Sequence, residues 1–97
     1  MSRIALVLGL GLLGGCGVSP PAATAIDASR AHVELAELEH GRTLMVAKCG
    51  GCHRAPMPSS RPAGEWPKAL DEMSERAKLD VVQRRLIEQY LTTMAMR

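Results

Sequence analysis

Apolar residues recur at the three- and four-residue spacing of an α-helix in two long segments of the chain. In the first segment, residues 33–48, these positions are Leu35, Leu38, Leu44 and Met45. We expect this helix to end at the glycine pair Gly50–Gly51. Gly41 lies inside it and costs about 1 kcal/mol relative to alanine unless another element packs closely there. The pattern predicts either a close-packed helix or a break at His40-Gly41.

The second segment begins at Asp80, a predicted N-cap with Gln83 three residues later. An apolar stripe follows at four-residue intervals and is flanked by Ile87 and Leu91; its members are Val82, Leu86, Tyr90 and Met94. This amphipathic face needs an apolar partner, and the first helix can provide one at Gly41.

A shorter helix is predicted between these two segments. Trp66, Leu70 and Met73 occupy positions i, i+4 and i+7, which share one face of a helix, and Pro67 suits its first turn. Together the three segments predict an all-α fold of about three helices.

Composition adds a constraint on the core. The 97 residues suit one small domain, yet the chain has no Phe, and Trp66 and Tyr90 are its only large aromatic residues. Domains of this size commonly need a disulfide, a metal or another staple. The formal net charge is +2 with no long basic run, which argues against nucleic acid as a partner.

The N-terminus has the pattern of a signal peptide. Arg3 supplies a positive charge, ten apolar or glycine residues follow from Ile4 to Leu13, and Gly14-Gly15 precede Cys16. The apolar run is too short to span a bilayer as a helix. Residues 13–16 resemble the lipobox of bacterial lipoproteins, which implies that residues 1–15 are removed and Cys16 is acylated. An ordinary signal peptide cleaved nearby is the alternative.

The lipobox resemblance implies a protein of the periplasm or cell envelope that is held at the membrane by a lipid on Cys16. In a Gram-negative cell, the absence of Asp at position 17 favours the outer membrane. Residues 16–31 are predicted to be the lipidated Cys16 and a flexible tether. The fifteen residues 17–31 show no apolar period and would span about 20 Å. The remaining residues, 32–97, form the predicted functional domain.

The pentapeptide Cys49-Gly50-Gly51-Cys52-His53 has the most specific chemistry in the chain. Two thiols spaced by two residues can each add to a vinyl group of a haem, and the adjacent histidine can bind the iron. The motif therefore predicts one covalently bound haem c, attached through Cys49 and Cys52 with His53 as the proximal iron ligand. Such a haem would be loaded by haem-attachment machinery.

Other uses of a Cys-x-x-Cys motif fit the chain less well. A thioredoxin-like site would need a βαβ pattern, whereas both flanks predict helices. A zinc site would have only His32 and His40 as further ligands, with no second cysteine pair. A Cys49–Cys52 disulfide would explain neither His53 nor the scarcity of large core residues.

The haem motif and its two flanking helices resemble the class I small monohaem cytochromes c, over roughly residues 33–96. In that family an N-terminal helix with a glycine near its middle crosses a C-terminal helix at an aromatic residue. Gly41 and Tyr90 match these positions. The resemblance implies N- and C-terminal helices packed against each other beside one covalently bound haem.

The second axial ligand is expected to be Met73. Twenty residues separate it from His53, which is enough chain to reach the far face of the haem. Class I cytochromes also place their methionine between the haem motif and the final helix. Met57 is only four residues beyond His53, within about 13 Å of extended chain. The other methionines lie before the motif or near the chain's end: Met45, Met94 and Met96.

Some alternatives stay open around the iron. Met73 can be a core residue only, and His32 or His40 can be the ligand instead. On the proximal side, the carbonyl of Pro56 or of Pro58 is positioned in sequence to accept a hydrogen bond from His53 Nδ1.

These features predict a one-electron carrier rather than an enzyme. The carrier would exchange electrons with redox proteins of the cell envelope in transient encounters. One alternative is a haem-based ligand sensor or peroxidase-like enzyme with a labile sixth site. The other is a fixed cytochrome subunit of a respiratory complex.

Overall fold

The computed structural model describes residues 19–49 and 54–97. These residues form an all-α fold without strands, which confirms the predicted fold class. The described residues form four α-helices where about three were predicted. They are α1, Ala25–Ala31; α2, Leu35–Cys49; α3, Trp66–Ala77; and α4, Val81–Ala95. Two short 3-10 turns, Pro58–Ser60 and Ala63–Glu65, lead into α3. Within the described ranges, no helix has the length and apolar character needed to cross a membrane.

Helices α2 and α4 pack against each other at Gly41. A Cβ atom added at Gly41 would overlap the backbone carbonyl oxygen of Leu86 and would lie 3.1 Å from the Cβ of Tyr90. Only glycine permits this approach without displacing the backbone of α4. The predicted close packing of the two helices is confirmed, and α2 continues through the position where a break was the alternative.

Helix α4 begins as its sequence predicts. The Asp80 carboxylate accepts a hydrogen bond from Gln83 N at 2.7 Å, and the Gln83 side chain accepts one from Asp80 N at 3.0 Å. The predicted apolar stripe is buried from Leu86 to Met94, whereas Val82 in the first turn is 56 % exposed. The stripe is therefore one turn shorter than the spacing predicts.

Helix α3 presents Trp66 and Leu70 to the core, where both are fully buried, with Pro67 in the first turn. Met73 is half-buried and packs against the same core. The helix ends at Lys78, which adopts a left-handed conformation and donates its N–H to carbonyls of the last turn. The predicted helix and its apolar face are confirmed.

The N-terminal segment differs from the predicted flexible tether at residues 19–31. Thr24 and Asp27 form a capping box that starts α1, while Ala23 and Ala28 are buried in the core. The segment lacks an apolar period because its contacts are small alanine side chains and polar bonds rather than large apolar residues. The packed domain therefore starts well before the predicted boundary at residue 32. Of the tether, residues 16–18 lie outside the described residues.

Candidate haem site

Cys49 is the last residue of α2 and belongs to the hydrophobic core. It lies one helical turn after Met45, which is fully buried, and is itself only 8 % exposed. The first cysteine of the motif thus lies in the core to which α2, α3 and α4 all contribute. The other two predicted haem-binding residues, Cys52 and His53, lie outside the described residues, as does Cys16.

The segment that follows the motif is fixed to the start of α3. Trp66 Nε1 donates a buried hydrogen bond of 3.0 Å to the carbonyl of Pro58, which is itself buried. Both the N–H and the hydroxyl of Ser60 donate to the carbonyl of Met57, which closes the first 3-10 turn. Arg61 places its guanidinium 5.5 Å from the centre of the Trp66 ring, a cation–π contact.

Of the two prolines considered as partners for His53, Pro58 already has a donor in the structure. Its carbonyl accepts the Trp66 indole N–H, so a second bond from His53 would have to share that oxygen. The sequence pattern places Trp66 on the correct face of α3 but does not predict this contact. A buried indole N–H needs a partner, and that need was the available signal.

Met73 borders a surface depression of about 470 Å³. Its lining includes Ala69, which lies one turn before Met73 on the same face of α3. Charged side chains of both signs line the rest: Arg61, Glu65, Lys68 and Glu72. A half-buried thioether beside open space is accessible to a group that enters the depression.

The other described methionines are placed differently. Met45 and Met94 are buried in the core, and Met96 is 59 % exposed beyond the end of α4. Met57 is half-buried, but its backbone begins the 3-10 turn just after the motif. Among the described methionines, Met57 and Met73 are thus the half-buried ones.

The two alternative histidine ligands lie away from Cys49. His40 is exposed on α2 nine residues before Cys49, which is about 14 Å along the helix axis. His32 is exposed before α2 begins, at the left-handed C-cap of α1. In the part of the chain that the structure describes, no group of three or more His, Cys, Asp or Glu side chains is arranged to hold a metal ion.

Three partly buried apolar side chains pack against the core: Ala55, Ala69 and Met73. Cys49 belongs to the same core, so a haem attached there would meet apolar side chains. Away from Cys49, where α4 crosses α2 at Gly41, burial raises the pKa of Tyr90. An all-α fold with a Cys-x-x-Cys-His motif at the end of its first long helix is the arrangement of a c-type cytochrome.

Comparison with protein families gives the same class. A family model described as dihaem cytochrome c matches residues 45–97, from the last turn of α2 to the end of the chain. The chain belongs to the dihaem cytochrome c family, and at this general level it is a haem-containing electron-transfer protein. No curated protein and no solved structure matches it.

The family description differs from the monohaem class that the sequence resembles. It names two haems, whereas these 97 residues contain a single Cys-x-x-Cys-His motif at positions 49–53. Cys16 is the only cysteine outside the motif, so a second haem held by two thioethers would lack a thiol here. The family match confirms a c-type cytochrome and leaves the number of haems open.

Proposed function

We propose that this chain is a one-electron carrier of the cell envelope with a single haem c. The single complete attachment motif supports this proposal most directly, because it supplies two thiols and one histidine in 97 residues. The thiols of Cys49 and Cys52 would each add across one vinyl group to form a thioether. His53 would bind the iron on one face, and Met73 on the other.

A haem at this site supplies a reversible one-electron couple between ferric and ferrous iron. The chain would tune that couple through its ligands and their partners. A thioether sulfur from Met73 favours the ferrous state and so raises the reduction potential. Because Pro58 O already accepts the Trp66 indole, Pro56 O is the better acceptor for His53 Nδ1–H, which would fix the histidine ring and its tautomer.

The haem count tests this proposal. Haem determined per mole of protein, combined with the intact mass, should give one covalently bound haem. Cys49→Ser and Cys52→Ser should each lose one thioether, and the double variant should hold no haem covalently. Two haems per chain would contradict the proposal, and so would covalent haem in the double variant.

A second function is favoured by the depression beside Met73. A small molecule that entered it would reach the Met73 side of the haem, and a labile Met73 would then give a ligand sensor or a peroxidase-like enzyme. Carbon monoxide added to the ferrous protein distinguishes the two functions. A carrier with a firmly bound sixth ligand should bind it slowly and weakly, whereas rapid, tight binding would favour the sensor.

The proposed location is the periplasmic side of a membrane, with an acyl chain on Cys16, and the outer membrane in a Gram-negative cell. The proposed partners are redox proteins of the envelope, either met transiently or as a fixed complex. Intact mass and partition into detergent test the anchor, and Cys16→Ser should abolish both the added mass and the partition. Co-purification of a redox protein at fixed stoichiometry would favour the fixed subunit.

A further inference from the structure

Three side chains hold the backbone that precedes α1. Arg42 Nε of α2 donates to the carbonyl of Pro20 at 2.8 Å, and the Tyr90 hydroxyl of α4 donates to the carbonyl of Pro21. Arg97, just after α4, donates to the carbonyl of Ala22 at 3.3 Å. Three consecutive backbone carbonyls, at residues 20–22, are therefore hydrogen-bonded to the rest of the domain.

The buried carboxylate of Asp27 ties α1 to the end of α4. Both oxygens of Asp27 accept from Arg97, at 3.0 and 3.3 Å, and Asp27 is only 2 % exposed. Arg30 bridges the same carboxylate and the carbonyl of Thr93, each at 3.2 Å. The hydrogen bond from Arg97 is the main cause of a pKa for Asp27 far below its usual range, so the carboxylate stays ionised.

This docking shortens the connection between the domain and Cys16. Three peptide units separate Cys16 from Ser19, and at full extension they reach only about 10 Å. A flexible tether from residue 16 to residue 31 would instead span about 20 Å and leave orientation free. If Cys16 carries the lipid, the membrane surface must lie close to the docked segment.

The surface beside the ion pair suits a membrane interface. Ile26 precedes Asp27 in α1 and is 75 % exposed, while Met96 precedes Arg97 just after α4 and is 59 % exposed. Arg30 and Arg97 contribute two positive charges here, and Asp27 contributes one negative charge. Exposed apolar side chains beside a net positive charge are the composition of segments that bind lipid surfaces.

We propose that the docked N-terminal segment holds the acylated protein against the bilayer in one orientation, with Ile26 and Met96 at the lipid surface. This inference rests on the proposed acylation of Cys16. The opposite end of α4 would then point away from the membrane: Val82 lies about 21 Å along the helix from Met96. The domain would present a constant face to its redox partners.

Quenching by lipids tests this orientation. A fluorescent label is attached to one introduced cysteine in the acylated, haem-loaded full chain, as Ile26→Cys, Met96→Cys or, for the control, Val82→Cys. Each is reconstituted into phosphatidylethanolamine and phosphatidylglycerol vesicles with and without brominated acyl chains. The ratio between the two vesicle types cancels quenching by the haem. We expect bromine to lower the fluorescence at positions 26 and 96 but not at 82.

A longer connection provides the second variant. About twelve glycine and serine residues inserted between Val18 and Ser19 leave the docked segment intact but lengthen the reach. Bromine quenching at positions 26 and 96 should then fall while the protein stays on the vesicles. Equal quenching at all three positions, or quenching unchanged by the insertion, would overturn the proposal. The proposal would also be overturned if, in detergent without vesicles, a second copy of the chain covered the labels at positions 26 and 96.

The outcome also separates this inference from the proposed anchor. Each preparation is first checked for the mass of the acyl chain and for flotation with vesicles. A preparation without acylation shows that the anchor is wrong, whereas an acylated preparation without selective quenching shows that only the orientation is wrong.

Discussion

The Trp66 indole N–H donates to the carbonyl of Pro58 across a buried distance of 3.0 Å. This bond joins the first turn of α3 to the segment that directly follows the haem motif. Because Met73 is on α3 and His53 precedes Pro58, the bond links the elements that carry the two proposed axial ligands. It is therefore expected to affect both the stability of the protein and the properties of the iron.

Trp66→Phe keeps an aromatic ring but removes the donor. The buried Pro58 carbonyl would lose this partner, which we expect to destabilise the protein by about 1–3 kcal/mol in denaturant unfolding. The reduction potential should shift as well, because the ligand-bearing segment is less well fixed. Arg61→Ala is the matched control, since it removes only the cation–π contact, worth about 0.5–1 kcal/mol at an exposed site. Equal effects of the two changes would contradict the role given to the hydrogen bond.

Gly41→Ala tests the crossing of α2 and α4. The added methyl group would collide with the Leu86 carbonyl, so we expect a loss of about 1–3 kcal/mol in the free energy of unfolding despite alanine's higher helix propensity. Gly64→Ala is the control, because an added Cβ there meets no atom within 4 Å. If Gly41→Ala is as stable as Gly64→Ala, the helices do not approach as described.

The ion pair of Asp27 predicts a pH dependence. Since folding lowers the pKa of this carboxyl, its stabilising effect is present above the ordinary aspartate pKa of about 3.9 and is lost as the pH falls below it. Unfolding free energies measured from neutral pH downwards should fall more steeply for the wild type than for Asp27→Asn. Asp71→Asn, which alters an exposed ion pair with Arg84, should keep the wild-type slope. Parallel curves for wild type and Asp27→Asn would show that Asp27 is not the responsible group.

Local sequence patterns were enough to predict most of the helical framework. The capping residues Asp80 and Gln83 act within one turn, and the spacing of Trp66 and Leu70 defines one helix face directly. Gly41 was informative because glycine inside an amphipathic helix has an energetic cost that close packing can offset. These signals depend on neighbouring residues, so they are visible in one sequence.

The docking of the N-terminal segment could not be predicted in the same way. Asp27 and Arg97 are separated by 70 residues, and nothing local to either one identifies the other as its partner. The bonds to the carbonyls of residues 20–22 involve backbone atoms, which every residue has. The one local signal is the spacing of Thr24 and Asp27, which form a capping box and from which a helix within the expected tether could have been predicted.

The optical spectrum of the ferric protein tests the proposed haem site most directly, with wild type beside Met73→Ala and with Met57→Ala as the matched control. We expect a low-spin spectrum with a weak methionine-to-iron band in the wild type and in Met57→Ala. Met73→Ala should lose that band and show a lower reduction potential, because the thioether that favours ferrous iron is gone. An unchanged spectrum in Met73→Ala, or loss of the band in Met57→Ala, would contradict the assignment of Met73 as the second axial ligand.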